Sequence, residues 1–175
     1  MHDAPRLHAR SPVVAPASGP DEGRQGSDRQ FIALLTGFRN SGGLARAQEV
    51  AIRCKARDEA CVLALARWVL AGEVVRVEWG QQIWLPLFQF DPRDMSRRAG
   101  LGDALAELSL PPGAWELARW FSAANTWLEE LSPAEVLAHD SAAVLQAARA
   151  KSLGVMGASQ VTGPFWRHPV GQAAV

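Results

Sequence analysis

Apolar residues recur along this chain at helical spacing, with one short interruption that alternates in strand fashion. Phe31, Leu34, Leu35 and Phe38 fall at i, i+3, i+4 and i+7, the pattern of a one-faced amphipathic helix. Ser27 or Asp28 can cap its start, and Asn40-Ser-Gly-Gly43, whose Asn and Gly tolerate positive φ, ends it. A second helix is expected over Leu44 to Cys54, with Leu44, Ala47, Val50, Ala51 and Cys54 on one side. After the break Lys55-Ala-Arg-Asp58, Asp58 caps a third helix that runs through Leu70 and stops at Gly72. Its core, CVLALARWVLA, is apolar nearly all round, which predicts a central helix packed on several sides.

Glu73 to Trp79 alternates apolar and charged residues and is rich in β-formers. Gly80-Gln81 can make a tight turn, and Ile83 to Phe90 returns as a second strand. Pro86 cannot donate to a ladder, which points to an edge strand or one irregular near its middle. Three short helices followed by a hairpin outline a winged or degenerate helix-turn-helix module. Beyond the polar stretch Asp91–Gly100, helices are expected over Leu101–Leu108 and Ala114–Ala123, with Pro111-Pro112-Gly113 between them. Ser132-Pro-Ala-Glu135 is a capping box with proline at the first helical position. Asp140-Ser141 then caps a last helix to about Lys151.

The expected architecture is therefore mainly α. It comprises a disordered tail (1–27), a degenerate helix-turn-helix-like module (28–72), one β-hairpin (73–90), a small helical segment (91–151) and an irregular end (152–175). The tail is rich in Pro, Gly, Ser and charge and lacks periodicity. It has no hydrophobic stretch of a secretory signal, and no apolar run approaches the ~20 residues that span a bilayer. A cytoplasmic protein with no membrane contact is the expectation.

Formal net charge is zero but unevenly spread. Arg29–Arg76 holds eight basic and four acidic residues, a balance of +4, whereas Val77–Lys151 balances at −4. This fits two faces for two partners, or ordinary solvated helix surfaces. Arg46 and Arg53, seven apart, would share one side of the second helix, with Arg39 and Arg57 at its flanks and Arg67 on the third. Such a stripe can contact DNA phosphates, although Arg67 is the one polar base-reading candidate on Ala60–Leu70. The alternative is a structural or dimerisation module.

Little else suggests chemistry. The four histidines are scattered, no His/Cys/Asp/Glu cluster has metal spacing, and no cofactor motif is present. Cys54 and Cys61 read as reduced thiols. Cys61 with His139 could pair as nucleophile and base, but Cys61 lies in an apolar run that would blunt it. Asp91 and Asp94 flanking Arg93 read as a solvated loop. An enzyme is not expected. Trp115, Trp120, Phe121 and Trp127 either fill a small core or form a partner-binding patch.

The back half resembles the toxin-binding domain of Xre/MbcA/ParS-type antitoxins. The resemblance is carried by Trp120-Phe121-Ser-Ala-Ala-Asn125-Thr-Trp127-Leu128-Glu-Glu-Leu-Ser-Pro133-Ala-Glu-Val-Leu137, by the helix Asp140–Ala148, and by Ile83–Asp91, which is similar to a hairpin ending in Pro-x-Phe-Gln-Phe. It covers about residues 74–150. In two places the chain departs from the pattern. Ala124 stands where the family usually has Pro, and Glu130 where it usually has Gly, a residue that accepts the positive φ that Glu resists. The turn is where this chain could differ, and with it toxin binding. The resemblance implies a non-enzymatic protein without a cofactor. It would bind a RES-type toxin, an NAD-consuming enzyme encoded nearby, and, given DNA contacts, repress its own operon. The implied toxin-binding residues are Trp120, Asn125, Trp127, Leu128, Pro133 and Leu137. Trp166 and Arg167 near the end are candidates to reach into the partner. The DNA-contact candidates are Arg39, Arg46, Arg53, Arg57 and Arg67. A homodimer is a further candidate assembly, and a stand-alone DNA-binding transcriptional regulator is the alternative function.

Overall fold

A computed structural model describes residues 20–108 and 113–159, with side chains for 27–108 and 113–154. In chain order the helices are α1 (Pro20–Gly37), α2 (Ala47–Lys55), α3 (Glu59–Ala71), α4 (Leu101–Glu107), α5 (Ala114–Ser122), α6 (Pro133–Val136) and α7 (Ser141–Ser159). The strands are β1 (Leu44–Arg46), β2 (Val77–Trp79) and β3 (Gln82–Pro86), and 3-10 turns cover Arg39–Ser41, Leu87–Gln89 and Thr126–Leu128. The fold is mainly α with one small antiparallel sheet, of strand order β1-β3-β2. In the front half, helix, strand, two helices and a hairpin follow one another in chain order.

Both ends of the helical region extend further than expected. Residues 20–27, placed by the sequence in the tail, belong to α1. Asp28 is consequently not a cap: it lies inside the helix, and its carboxylate accepts the Trp79 indole N–H at 3.0 Å. At the other end, α7 continues past Lys151 to Ser159, so 152–159 is helical, not irregular. Residues 1–19 and 160–175 lie outside the described residues.

Leu44–Arg46 is a strand and not the start of a helix. The cause is the preceding turn, where Gly42 and Gly43 take φ of 104° and 79°. A Cβ on Gly42 would stand 3.2 Å from the Leu87 Cβ, and the Leu87 N–H donates to the Gly43 carbonyl at 2.9 Å. This lays Leu44 opposite Pro86 and Arg46 opposite Trp84. β3 is therefore the central strand, correcting the edge assignment. Pro86 is tolerated because it is the last residue of the strand, where the ladder ends. The hairpin turn is Gly80-Gln81, both at positive φ (58° and 60°), which matches the twist of the flanking strands.

Asp58 caps α3 through the Cys61 N–H at 2.7 Å, and Gly72 closes it at φ 70°. Yet α3 is not central. Leu65 is its one buried residue, whereas Leu63 and Leu70 are 73% and 87% exposed. Trp68 and Val69 pack partly against the core, the Trp68 ring stacking on Phe90 at 6.4 Å.

One cluster of buried side chains runs from Leu34 through Val50, Leu85, Leu101 and Phe121 to Ala148. Within it the rings of Phe38, Phe88 and Phe121 stack in sequence at 5.6 and 5.1 Å, and Trp120 meets Phe121 edge-on at 4.8 Å. Gly37 lets α1 approach α5, since a Cβ there would lie 2.8 Å from the Ser122 Cβ. Residues 91–100 are anchored along this core. The Arg98 N–H bonds the Gln89 carbonyl and its Nε the Phe88 carbonyl, each at 2.9 Å, and Arg97 pairs with Glu73 at 2.9 Å.

Candidate functional site

The Phe-Gln-Phe at the end of the hairpin is a structural device. After Pro86 the backbone turns through a 3-10 turn that carries Phe88 and Gln89 inward. Gln89 is fully buried. Its amide Oε1 accepts the Val75 N–H at 2.8 Å and its Nε2 donates to the Val75 carbonyl at 2.9 Å. One side chain thus replaces the strand that Val75 lacks, satisfying both backbone groups in the interior. The sequence offered Gln89 only as part of a resemblance, and its task emerges from the fold.

The region richest in candidate binding residues is the loop between α5 and α6. The Asn125 side chain accepts the Trp127 N–H at 2.9 Å. Its backbone N–H bonds the Leu131 carbonyl at 3.1 Å and its carbonyl accepts from Leu128 and Glu130 at 2.9 and 3.1 Å. The loop is therefore closed on Asn125. Glu129 and Glu130 both take positive φ, 55° and 65°. Glu130 adopts the conformation that a glycine would take freely, and the ring of hydrogen bonds around Asn125 holds it there. Ser132 and Glu135 form the expected capping box. The Ser132 hydroxyl and N–H donate to the Glu135 carboxylate at 2.7 and 2.9 Å, and the Ser132 Oγ accepts the Glu135 N–H at 3.3 Å. Asn40 adds a bond to Glu135 at 3.3 Å, joining this corner to the front half. The Ser132 hydroxyl, then its N–H, then Asn40 hold the Glu135 carboxyl below the usual carboxylate range.

The six back-half candidates fall into two sets. Leu128, Pro133 and Leu137 are buried in the protein's own core, and their apolar surface is already covered. This corrects their expected direct contact with a partner: they support the loop. Trp120 is half-buried against Phe121, and Asn125 serves the loop. Trp127 is 71% exposed, and Leu131, which the pattern did not single out, is also exposed. The available signal for Leu131 was an apolar residue set between two glutamates and a capping box. Trp166 and Arg167 lie outside the described residues.

The five arginines do not make a single helical stripe. Arg46 lies in β1, with its guanidinium 5.4 Å from the centre of the Trp84 ring. Arg57 reaches the Pro92 carbonyl at 3.4 Å. Arg39, Arg53 and Arg67 are exposed on the 3-10 turn, α2 and α3.

Of the residues weighed for catalysis, Asp91 and Asp94 are engaged in their own loop, Cys61 is partly buried on α3 beside the Cys54 thiol, and His139 is exposed. Burial first, then the neighbouring Cys61 thiol, pushes Cys54 up to about 12, and such a thiol is a poor nucleophile. Asp91 and Asp94 each accept a loop N–H at 2.8 Å, from Arg93 and Ser96. A depression of about 420 Å³ brings Asp91, Arg97, Arg98 and His139 together, but Arg97 and Arg98 are bound to Glu73 and to the Phe88 carbonyl. Among the described residues no group of three or more His, Cys, Asp or Glu is placed to hold a metal ion, and no helix is long and apolar enough to cross a membrane. Comparison with family models, with curated proteins and with solved structures returns no match.

Proposed function

We propose that this protein is an antitoxin-like binding protein whose α5–α6 corner docks on a partner toxin of the RES type, encoded nearby, in the cytoplasm. The observation that carries this reading is Trp127, 71% exposed on a loop held by Asn125. An indole in water on a rigid support loses little conformational freedom on binding and gains much by burial. Trp is enriched at energetic hot spots for this reason. Trp127 and Leu131 are the apolar contacts, Glu129 and Glu130 lend the rim its negative charge, and Leu128, Pro133 and Leu137 keep the loop in shape. Co-expression with the neighbouring gene product, followed by pull-down and growth rescue, tests this. Trp127→Ala should weaken the complex about 30-fold or more and shift stability by less than about 0.5 kcal/mol, as expected at an exposed site. No complex with any neighbouring product, together with no rescue of growth, sinks the reading.

Operator DNA is a second reading, favoured by the helix order and by exposed Arg39 and Arg53. It predicts binding that weakens steeply with salt and with Arg39→Ala or Arg53→Ala. Binding indifferent to both removes it.

A further inference from the structure

We infer that the outward face of α3 is a homodimer interface, formed by antiparallel pairing of two copies of the helix about a two-fold axis through Leu63. Glu59, Ala60, Leu63, Ala66, Arg67 and Leu70 are all exposed, and they fall at i, i+1, i+4, i+7, i+8 and i+11, one continuous stripe of a helix. Scattered surface leucines need no explanation. Here Leu63 and Leu70, 73% and 87% exposed, share one stripe with two alanines.

The order of residues selects the occupant. In an antiparallel pair centred on Leu63, position 59 of one copy meets position 67 of the other. Each Glu59 therefore faces the partner's Arg67, twice over, and each Ala60 faces the partner's Ala66. Small residues at that level let the two backbones approach closely. Self-complementarity of this kind is what a two-fold, isologous contact requires. A shallow hollow of about 250 Å³ lined by Lys55, Glu59, Val62 and Leu63 flanks the stripe. It lies toward the end of α3 that the partner's Arg67 and Leu70 overlie. The same face suits DNA poorly, since it sets a carboxylate and two leucines around a single guanidinium. This surface is separate from the α5–α6 corner and stands whether or not that corner binds a toxin.

Sedimentation equilibrium on the full-length protein, from low to several hundred micromolar, tests the pairing. The expected result is a monomer–dimer equilibrium. Leu63→Glu raises the dissociation constant about 30-fold or more while the far-ultraviolet spectrum and melting curve keep their shape, because the side chain is exposed. Glu59→Arg and Arg67→Glu each weaken the dimer several-fold, by setting like charges face to face. The two together restore it. A monomer at every concentration, a dimer indifferent to Leu63→Glu, or charge reversals that the double variant does not rescue would each overturn the inference. So would loss of operator binding in Leu63→Glu without any change in mass, which assigns the face to nucleic acid.

Discussion

Replacing Gln89 by leucine isolates the energetic worth of the buried clamp on Val75. Leucine is one bond shorter, of similar bulk, and has no hydrogen-bonding groups. The substitution removes two bonds, of 2.8 and 2.9 Å, and strands the Val75 N–H and carbonyl, both held in the interior beside a fully buried Val75. Each stranded backbone group costs about 1–3 kcal/mol, so the pair costs about 2–6 kcal/mol. A protein of this size has about 5–15 kcal/mol in hand, so the loss is large and survivable. Urea unfolding followed by tryptophan fluorescence should show the midpoint falling by about 1–3 M, for a slope of about 2 kcal/mol/M, with that slope unchanged. Hydrogen exchange supplies the local reading: the Val75 amide should lose protection far more than amides in α5 or α7. A loss under about 1 kcal/mol, or a Val75 amide as protected as before, would refute the clamp.

Gly100→Ala should destabilise by about 2–4 kcal/mol, because Gly100 has φ 78° and a new Cβ would run into the Ser141 Cβ at the head of α7; thermal melting measures it. Glu130→Gly should do the reverse, raising stability by about 0.5–1 kcal/mol by relieving the positive φ, with partner binding retained if loop shape is what matters. The Glu135 carboxyl is held below the usual range by the Ser132 hydroxyl first. Its contribution is therefore complete above the unfolded carboxylate value, about pH 4.3, and is lost as pH falls through the lower folded value. Glu135→Gln should flatten that part of an acid-unfolding profile, and an unchanged profile would remove Glu135 as its source.

Residues that act locally were readable in the chain. Asp58 and Gly72 bound α3, Ser132 and Glu135 box the start of α6, and Asp140 caps α7 through the Ala143 N–H at 2.9 Å, because each does its work within a few positions of itself. Leu44-Ala45-Arg46 was not readable as a strand. Its spacing continues the apolar side of α2, and only the distant β3, brought alongside by Gly42 and Gly43, makes it extended. Pro86 misled for the same reason, since a central place in the sheet depends on β1. The all-round apolar character of α3 predicts a central helix, whereas the structure leaves Leu63 and Leu70 exposed, because apolar composition does not say which sides of a helix the rest of the chain covers. The candidate loop was legible in its residue types and not in their exposure: Trp127 and Leu128 are adjacent and both large, and the turn between them decides which one faces water.

The column of rings from Phe38 through Phe88 to Phe121 has a practical consequence for handling this molecule. Two of its members precede residues 91–100 and one follows. A nick in that connection leaves each piece with part of a stack that the other completes. The two pieces should remain bound to each other and melt together, and neither, expressed by itself, should yield a well-folded fragment.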